Sequence, residues 1–153
     1  MTPSQARNAI KKALVEIVDP KPKKTEIDAM WKHFNCQCAF CGKKLERADR
    51  IGHADHLVPA AKGGHNHIYN RVLACSTCNG DQKLDSDWQV FLDEAKGKKA
   101  EKIARKMRIL QWQANHRAEC SVADKKIAGA LNAAEKAIHA FNTACDKVRS
   151  LRT

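Results

Sequence analysis

The side chains of this chain best suited to chemistry are concentrated in ADHLVPAAKGGHNH, residues 54–67. Asp55 and His56 set an acid beside a base, and Gly63–Gly64, His65 and His67 follow. On either side stands a C-x-x-C pair, Cys38/Cys41 before and Cys75/Cys78 after, with 33 residues between Cys41 and Cys75. Such residues either hold a metal that staples a fold or act on a substrate. The cysteines read as the staple. Each pair offers two thiolates from one tight turn, with Gly42 and Gly80 relieving crowding, and four sulfurs close a tetrahedral zinc site with no open position. Structural Zn²⁺ on Cys38, Cys41, Cys75 and Cys78 is therefore expected. Cys36 reads as a spare sulfur, because Cys38/Cys41 has the favoured spacing, and Cys120 and Cys145 read as buried residues of a helical arm. A zinc staple alone leaves 54–67 unexplained.

The elements that must position these residues follow from periodicity. PSQARNAIKKALVEIV reads as a helix with Ala6, Ile10, Leu14 and Ile17 on one face. DPKPKK at 19–24 breaks it, and Thr25 with Asp28 reads as the capping box of a second helix running to about Phe34. Residues 35–80 show no sustained period and read as short strands and turns around metal. A helix over 85–97 is expected, capped by Ser86 or Asp87, with Trp88, Phe91 and Leu92 inward and Gly97 as its stop. Beyond it, Ile103, Met107, Leu110 and Ala114 form one apolar stripe. After a break near Glu119–Cys120 and a capping box at Ser121 and Asp124, Ile127, Leu131, Ala134, Ile138, Phe141, Cys145 and Val148 form a heptad-like seam. The two stripes read as an antiparallel helical hairpin, or as the seam of a homodimer through the C-terminal helices. The expected organisation is N-terminal helices over 1–34, a core over 35–97 and a basic helical arm over 98–153.

The totals narrow the partners. The 153 residues carry a formal net charge of +11, which favours a polyanion, nucleic acid first. Residues 98–153 hold thirteen Lys/Arg against five Asp/Glu; the other 97 hold fifteen against twelve. Aromatics make up only 5%, too few for a large single core, so a metal cross-link would help a compact module hold. MTPSQARNAIKK lacks the apolar run of a signal peptide, and no stretch approaches the ~20 apolar residues of a membrane span. With seven cysteines, four of them in C-x-x-C pairs, a reducing cytoplasm and no membrane are expected.

The ordered set Asp55–His56, Pro59, Gly63–Gly64, Asn70 and Asn79, inside a four-cysteine frame, resembles the zinc-stapled HNH endonucleases of the ββα-metal superfamily. The resemblance runs from about Cys38 to Lys83. It implies an α+β fold, a small ββα-metal core flanked here by N-terminal helices and a C-terminal hairpin. It also implies a metal-dependent endonuclease that hydrolyses phosphodiester bonds and leaves 5′-phosphate and 3′-hydroxyl ends. His56 would be the general base, since neutral imidazole can take a proton from water near pH 7. Asp55 would turn to the other side of its strand and, with Asn79, bind a catalytic divalent cation, Mg²⁺ or Mn²⁺. Asn70 would brace the loop between the strands and orient His56. Asn79 stands where the family's last histidine gives it its third letter, and still offers an oxygen to a hard cation. Lys83 falls four residues after Asn79 where three is usual, so Arg71 shares its expected role on substrate phosphate, with His65 close by.

The implied substrate is double-stranded DNA, in a restriction, phage or mobile-element setting, for a monomer or homodimer. Two other readings remain open: a non-catalytic zinc-dependent DNA-binding module in which Asp55 and His56 are a hydrogen-bonded pair, and a nuclease toxin acting on RNA. Lys62-Gly63-Gly64 could be only a hairpin turn, and Lys98, Lys99 and Lys102 only a solvated helix face.

Overall fold

The computed structural model describes residues 1–117 and 120–151, leaving aside the side chains of 120–124. The break expected near Glu119–Cys120 and the capping box expected at Ser121 and Asp124 rest on residues or side chains outside that description. The chain divides into two compact units, one of Met1–Pro20 with Glu119–Thr153 and one of Lys21–Ala118.

The first unit pairs α1 (Pro3–Val18) with α5 (Cys120–Ser150). Thr2 and Gln5 close a reciprocal capping box at the start of α1: each side chain accepts the other's backbone N–H. Along α5, Ala134 is buried and Ile127, Leu131, Ile138, Phe141 and Cys145 are half-buried. Arg7 of α1 donates to the Asn142 side chain at 3.1 Å. The seam read from the sequence is therefore covered by α1, except that Val148 stays 62% exposed. On α1 itself, Ile17 is exposed, and Val15 and Val18 are half-buried.

The second unit holds α2 (Lys24–His33), β1 (Gly52–His56), β2 (Arg71–Cys75), a wide helical turn at Thr77–Gln82, α3 (Trp88–Glu94) and α4 (Lys99–Asn115). Helix α2 starts just before the expected Thr25 cap, where the Glu26 carboxylate accepts the Lys23 N–H at 2.6 Å. Helix α3 is capped by Asp87, whose carboxylate accepts the N–H groups of Gln89 and Val90. The two strands are antiparallel, in a register that sets Asp55 opposite Val72 and His56 opposite Arg71. Beneath Gly52 lies the Trp31 indole, so close that a Cβ there would sit 2.5 Å from it. Trp31, Trp88 and Trp112 are all buried, among Met30, Phe34, Phe40, Leu57, Val72, Leu73, Leu92 and Ile109. Most of the few aromatics of the chain are spent on this small core.

Helix α5 pairs with α1, and helix α4 belongs to the Lys21–Ala118 unit. The α4 stripe is reversed: Ile103, Met107 and Leu110 are exposed, and Ile109 and Trp112 are buried. The reason is the indole N–H, which donates to the carbonyls of Ile68 at 3.1 Å and Arg71 at 2.9 Å. A buried Trp needs such a partner, and the end of β2 supplies it. Arg105 of α4 donates to the Phe40 carbonyl at 2.9 Å. Among the described residues no helix is long and apolar enough to cross a membrane.

Candidate functional site

Two turns bring four sulfurs together. The first, Cys38–Cys41, is closed by a bond from Gly42 N–H to the Cys38 carbonyl and pinned to β2 by Ala39 N–H on the Leu73 carbonyl, 2.7 Å. The second follows directly from β2, and the Cys78 N–H points at the Cys75 sulfur, 3.5 Å. The ligand atoms of Cys38, Cys41, Cys75 and Cys78 all lie within 4.8 Å of one another, and Cys41 Sγ is 3.8 Å from Cys75 Sγ. Zinc–sulfur arms of about 2.3 Å in a tetrahedron separate the sulfurs by about 3.8 Å. The cluster could hold a structural zinc ion, and its protons tell the same story. Hydrogen bonds from Cys38 and Cys78 draw the Cys41 thiol down to about 2. The bond with Cys41 pushes Cys38 up to about 11, and bonds with Cys38 and Cys41 push Cys78 up as well. A cation held between the sulfurs would favour their thiolate forms. Cys36 is exposed and outside the cluster.

The loop after β1 is held by one amide. Asn70, 2% exposed, accepts the Val58 N–H at 2.8 Å through Oδ1 and donates through Nδ2 to the carbonyls of Val58 and His65. The Leu57 N–H also donates to the Asn70 carbonyl. Gly64 makes this clamp possible, since a Cβ there would lie 1.8 Å from the Val58 oxygen. Asn70 thus fixes the chain immediately after His56 rather than reaching into open space.

Asp55, His56 and Asn79 line one cleft of about 320 Å³, together with Pro59–Ala61 and Lys83–Asp85. Asn79 comes from the wide turn Thr77–Gln82 that follows the second cysteine turn. Asp55 is 9% exposed, and burial raises its carboxyl above the ordinary value while Lys83 pulls it back down. Its Oδ2 is enclosed, 3.2 Å from the Lys83 ammonium. Asp55 and Asn79 would offer hard oxygen donors in the same cleft, the donor type that suits a Mg²⁺-like cation completed by water and phosphate.

Two of the residues expected on substrate phosphate, Lys83 and Arg71, make bonds within the protein. Lys83 is 1% exposed and donates to the His56 carbonyl at 2.6 Å. Arg71 spends its guanidinium on the carbonyls of Asn66 and Ala54 and on the Asn66 side chain. His65 is half-buried and is not part of the cleft lining. What sequence reasoning missed is that these cations serve the loop and strand. Their residue types gave no signal of it, because most of the acceptors are backbone carbonyls.

A Cys₄ cluster beside a strand carrying Asp-His, with Asn79 brought in by the following turn, invites comparison with known families. Residues 38–90 match the HNH endonuclease family. The match runs from the first cysteine turn into α3, and it is this segment alone that is similar to nucleases of the HNH type. It does not reach α1, α2, α4 or α5. No curated protein and no solved structure matches the chain.

Proposed function

We propose that the protein is a metal-dependent endonuclease that hydrolyses phosphodiester bonds in double-stranded DNA and leaves 5′-phosphate and 3′-hydroxyl ends. The observation that carries the reading is the common cleft of Asp55, His56 and Asn79 within an HNH segment. His56 takes the proton of the attacking water as general base. Asp55 and Asn79 hold a divalent cation, Mg²⁺ or Mn²⁺, which when bound supplies charge neutralisation at the scissile phosphate and the departing 3′ oxygen. Asn70 keeps the His56 end of β1 in place through its clamp on Val58. Zinc on the four cysteines staples the site without entering the reaction.

One observation favours a second reading. Asp55 is nearly buried and ion-paired with Lys83, as a purely structural acid would be. That pairing suits a non-catalytic zinc-dependent DNA-binding module. The deciding experiment is incubation of the purified protein with supercoiled plasmid and with RNA, in Mg²⁺ or Mn²⁺ and in chelator. Plasmid cleavage that needs the divalent cation, with sequenced ends carrying 5′-phosphates, supports the nuclease. Binding without cleavage under every condition supports the module, and cleavage confined to RNA sinks the DNA reading.

A further inference from the structure

Lys83 carries its charge into the interior, and a role on phosphate does not account for that. The residue is 1% exposed, with its ammonium 2.6 Å from the His56 carbonyl and 3.2 Å from Asp55 Oδ2. It also stands 5.9 Å from the centroid of Phe40, a residue inside the first cysteine turn. A buried ammonium is costly unless it is paired and hydrogen-bonded. Here both partners belong to two adjacent residues, the Asp-His pair of β1. With Oδ2 enclosed, Asp55 has only Oδ1 to offer the cleft.

We infer that Lys83 is a positioning residue: it grips Asp55 by Oδ2 and the strand by the His56 carbonyl, so that Asp55 meets a divalent cation through Oδ1 alone. The inference rests on the cleft being the cation site of the proposed nuclease. The ammonium does not touch substrate. It fixes the direction of a carboxylate that would otherwise rotate about two bonds, and it ties that direction to the first cysteine turn through Phe40. Groups that orient metal ligands from behind commonly account for 10–100-fold in metal affinity.

The test uses full-length, zinc-loaded protein with Mn²⁺ as the probe, reading Mn²⁺ affinity by calorimetry and cleavage of supercoiled plasmid. Lys83→Met keeps the apolar stem against Phe40 and removes the ammonium; it should weaken Mn²⁺ binding by about tenfold or more with zinc content unchanged. Lys83→Gln retains a donor and should fall between. In an Asp55→Asn background, Lys83→Met should cost no further Mn²⁺ affinity, because its effect passes through that carboxylate. Loss of zinc and cooperative unfolding in both Lys83 variants would overturn the inference, as would additive losses in the double variant. Equal Mn²⁺ affinity and cleavage by wild type and Lys83→Met overturns it and leaves the nuclease standing. Weakened Mn²⁺ binding in Lys83→Met, with no cleavage by wild type, overturns the nuclease instead. A wild type that binds no Mn²⁺ overturns both.

Discussion

Asp55 and His56 are chain neighbours that a strand must send to opposite faces, so one cleft can use both only at its rim, where β1 ends. Replacing the imidazole tests its part alone. His56→Ala should retain zinc and DNA affinity while cleavage falls by about 10²-fold or more, measured as single-turnover rates on plasmid. Near-normal cutting would remove His56 from the reaction. Asp55 makes a separate prediction in pH. Its folded pKa lies above the ordinary 3.8, so between the two values the folded protein holds a proton that the unfolded chain has released. The group's contribution to stability is thus present at low pH and lost as pH rises through the raised value. With the divalent cation withheld, the urea midpoint of wild type relative to Asp55→Asn should decline upward from about pH 4. A difference flat in pH would mean that Lys83 cancels the burial. At this scale the residue types of the site were legible, because acid, base, amide and thiol declare their chemistry. The directions of Lys83, Arg71 and Arg105 were not. A long cation goes to whichever carbonyls the finished fold leaves within reach, and no spacing records where those are.

Among the elements, α4 shows where periodicity misleads. Ile103, Met107 and Leu110 repeat at helical spacing yet face outward, while Ile109 and Trp112 enter the core. The stripe of aliphatics was visible in the sequence; the two carbonyls waiting for the Trp112 indole belong to Ile68 and Arg71, more than forty residues away. Trp112→Ala should therefore cost about 3–5 kcal/mol, a cavity plus two unpaired carbonyls, in urea unfolding. Removal of the exposed Met107 side chain should stay within about 0.5 kcal/mol. Equal costs at the two positions would contradict the packing described. By contrast α3, with its Asp87 cap and inward Trp88 and Leu92, was readable because its cap and its buried face are both local.

The whole molecule divides its charge differently from the sequence halves. The Lys21–Ala118 unit carries nineteen Lys/Arg and eleven Asp/Glu; the α1–α5 unit carries nine and six. Seven of the nineteen lie in 98–118. The basic field expected of an arm thus travels largely with the site. Excised Lys21–Ala118 should keep its zinc, cut DNA and retain most of the salt dependence of binding, each lost phosphate contact flattening the slope of log K by about 0.9. A chain cut after residue 97 should lose cooperative unfolding, because Ile109 and Trp112 leave with it. Salt titrations and sedimentation of the two fragments distinguish these outcomes, and a collapse of the salt slope in Lys21–Ala118 would assign the phosphate contacts to α1 and α5.

The pairing of α1 with α5 also imposes an order in time. Helix α1 ends at Val18 and α5 begins at Cys120, so the ribosome makes about a hundred residues between the two partners. At roughly 5–20 residues per second that is an interval of about 5–20 s. Throughout it, Ile10, Leu14 and Val15 have no α5 to cover them, and by its end every ligand of the cysteine cluster and all of α4 have been synthesised. The site-bearing unit can close on zinc first, and α1, made before it, finds its mate after it.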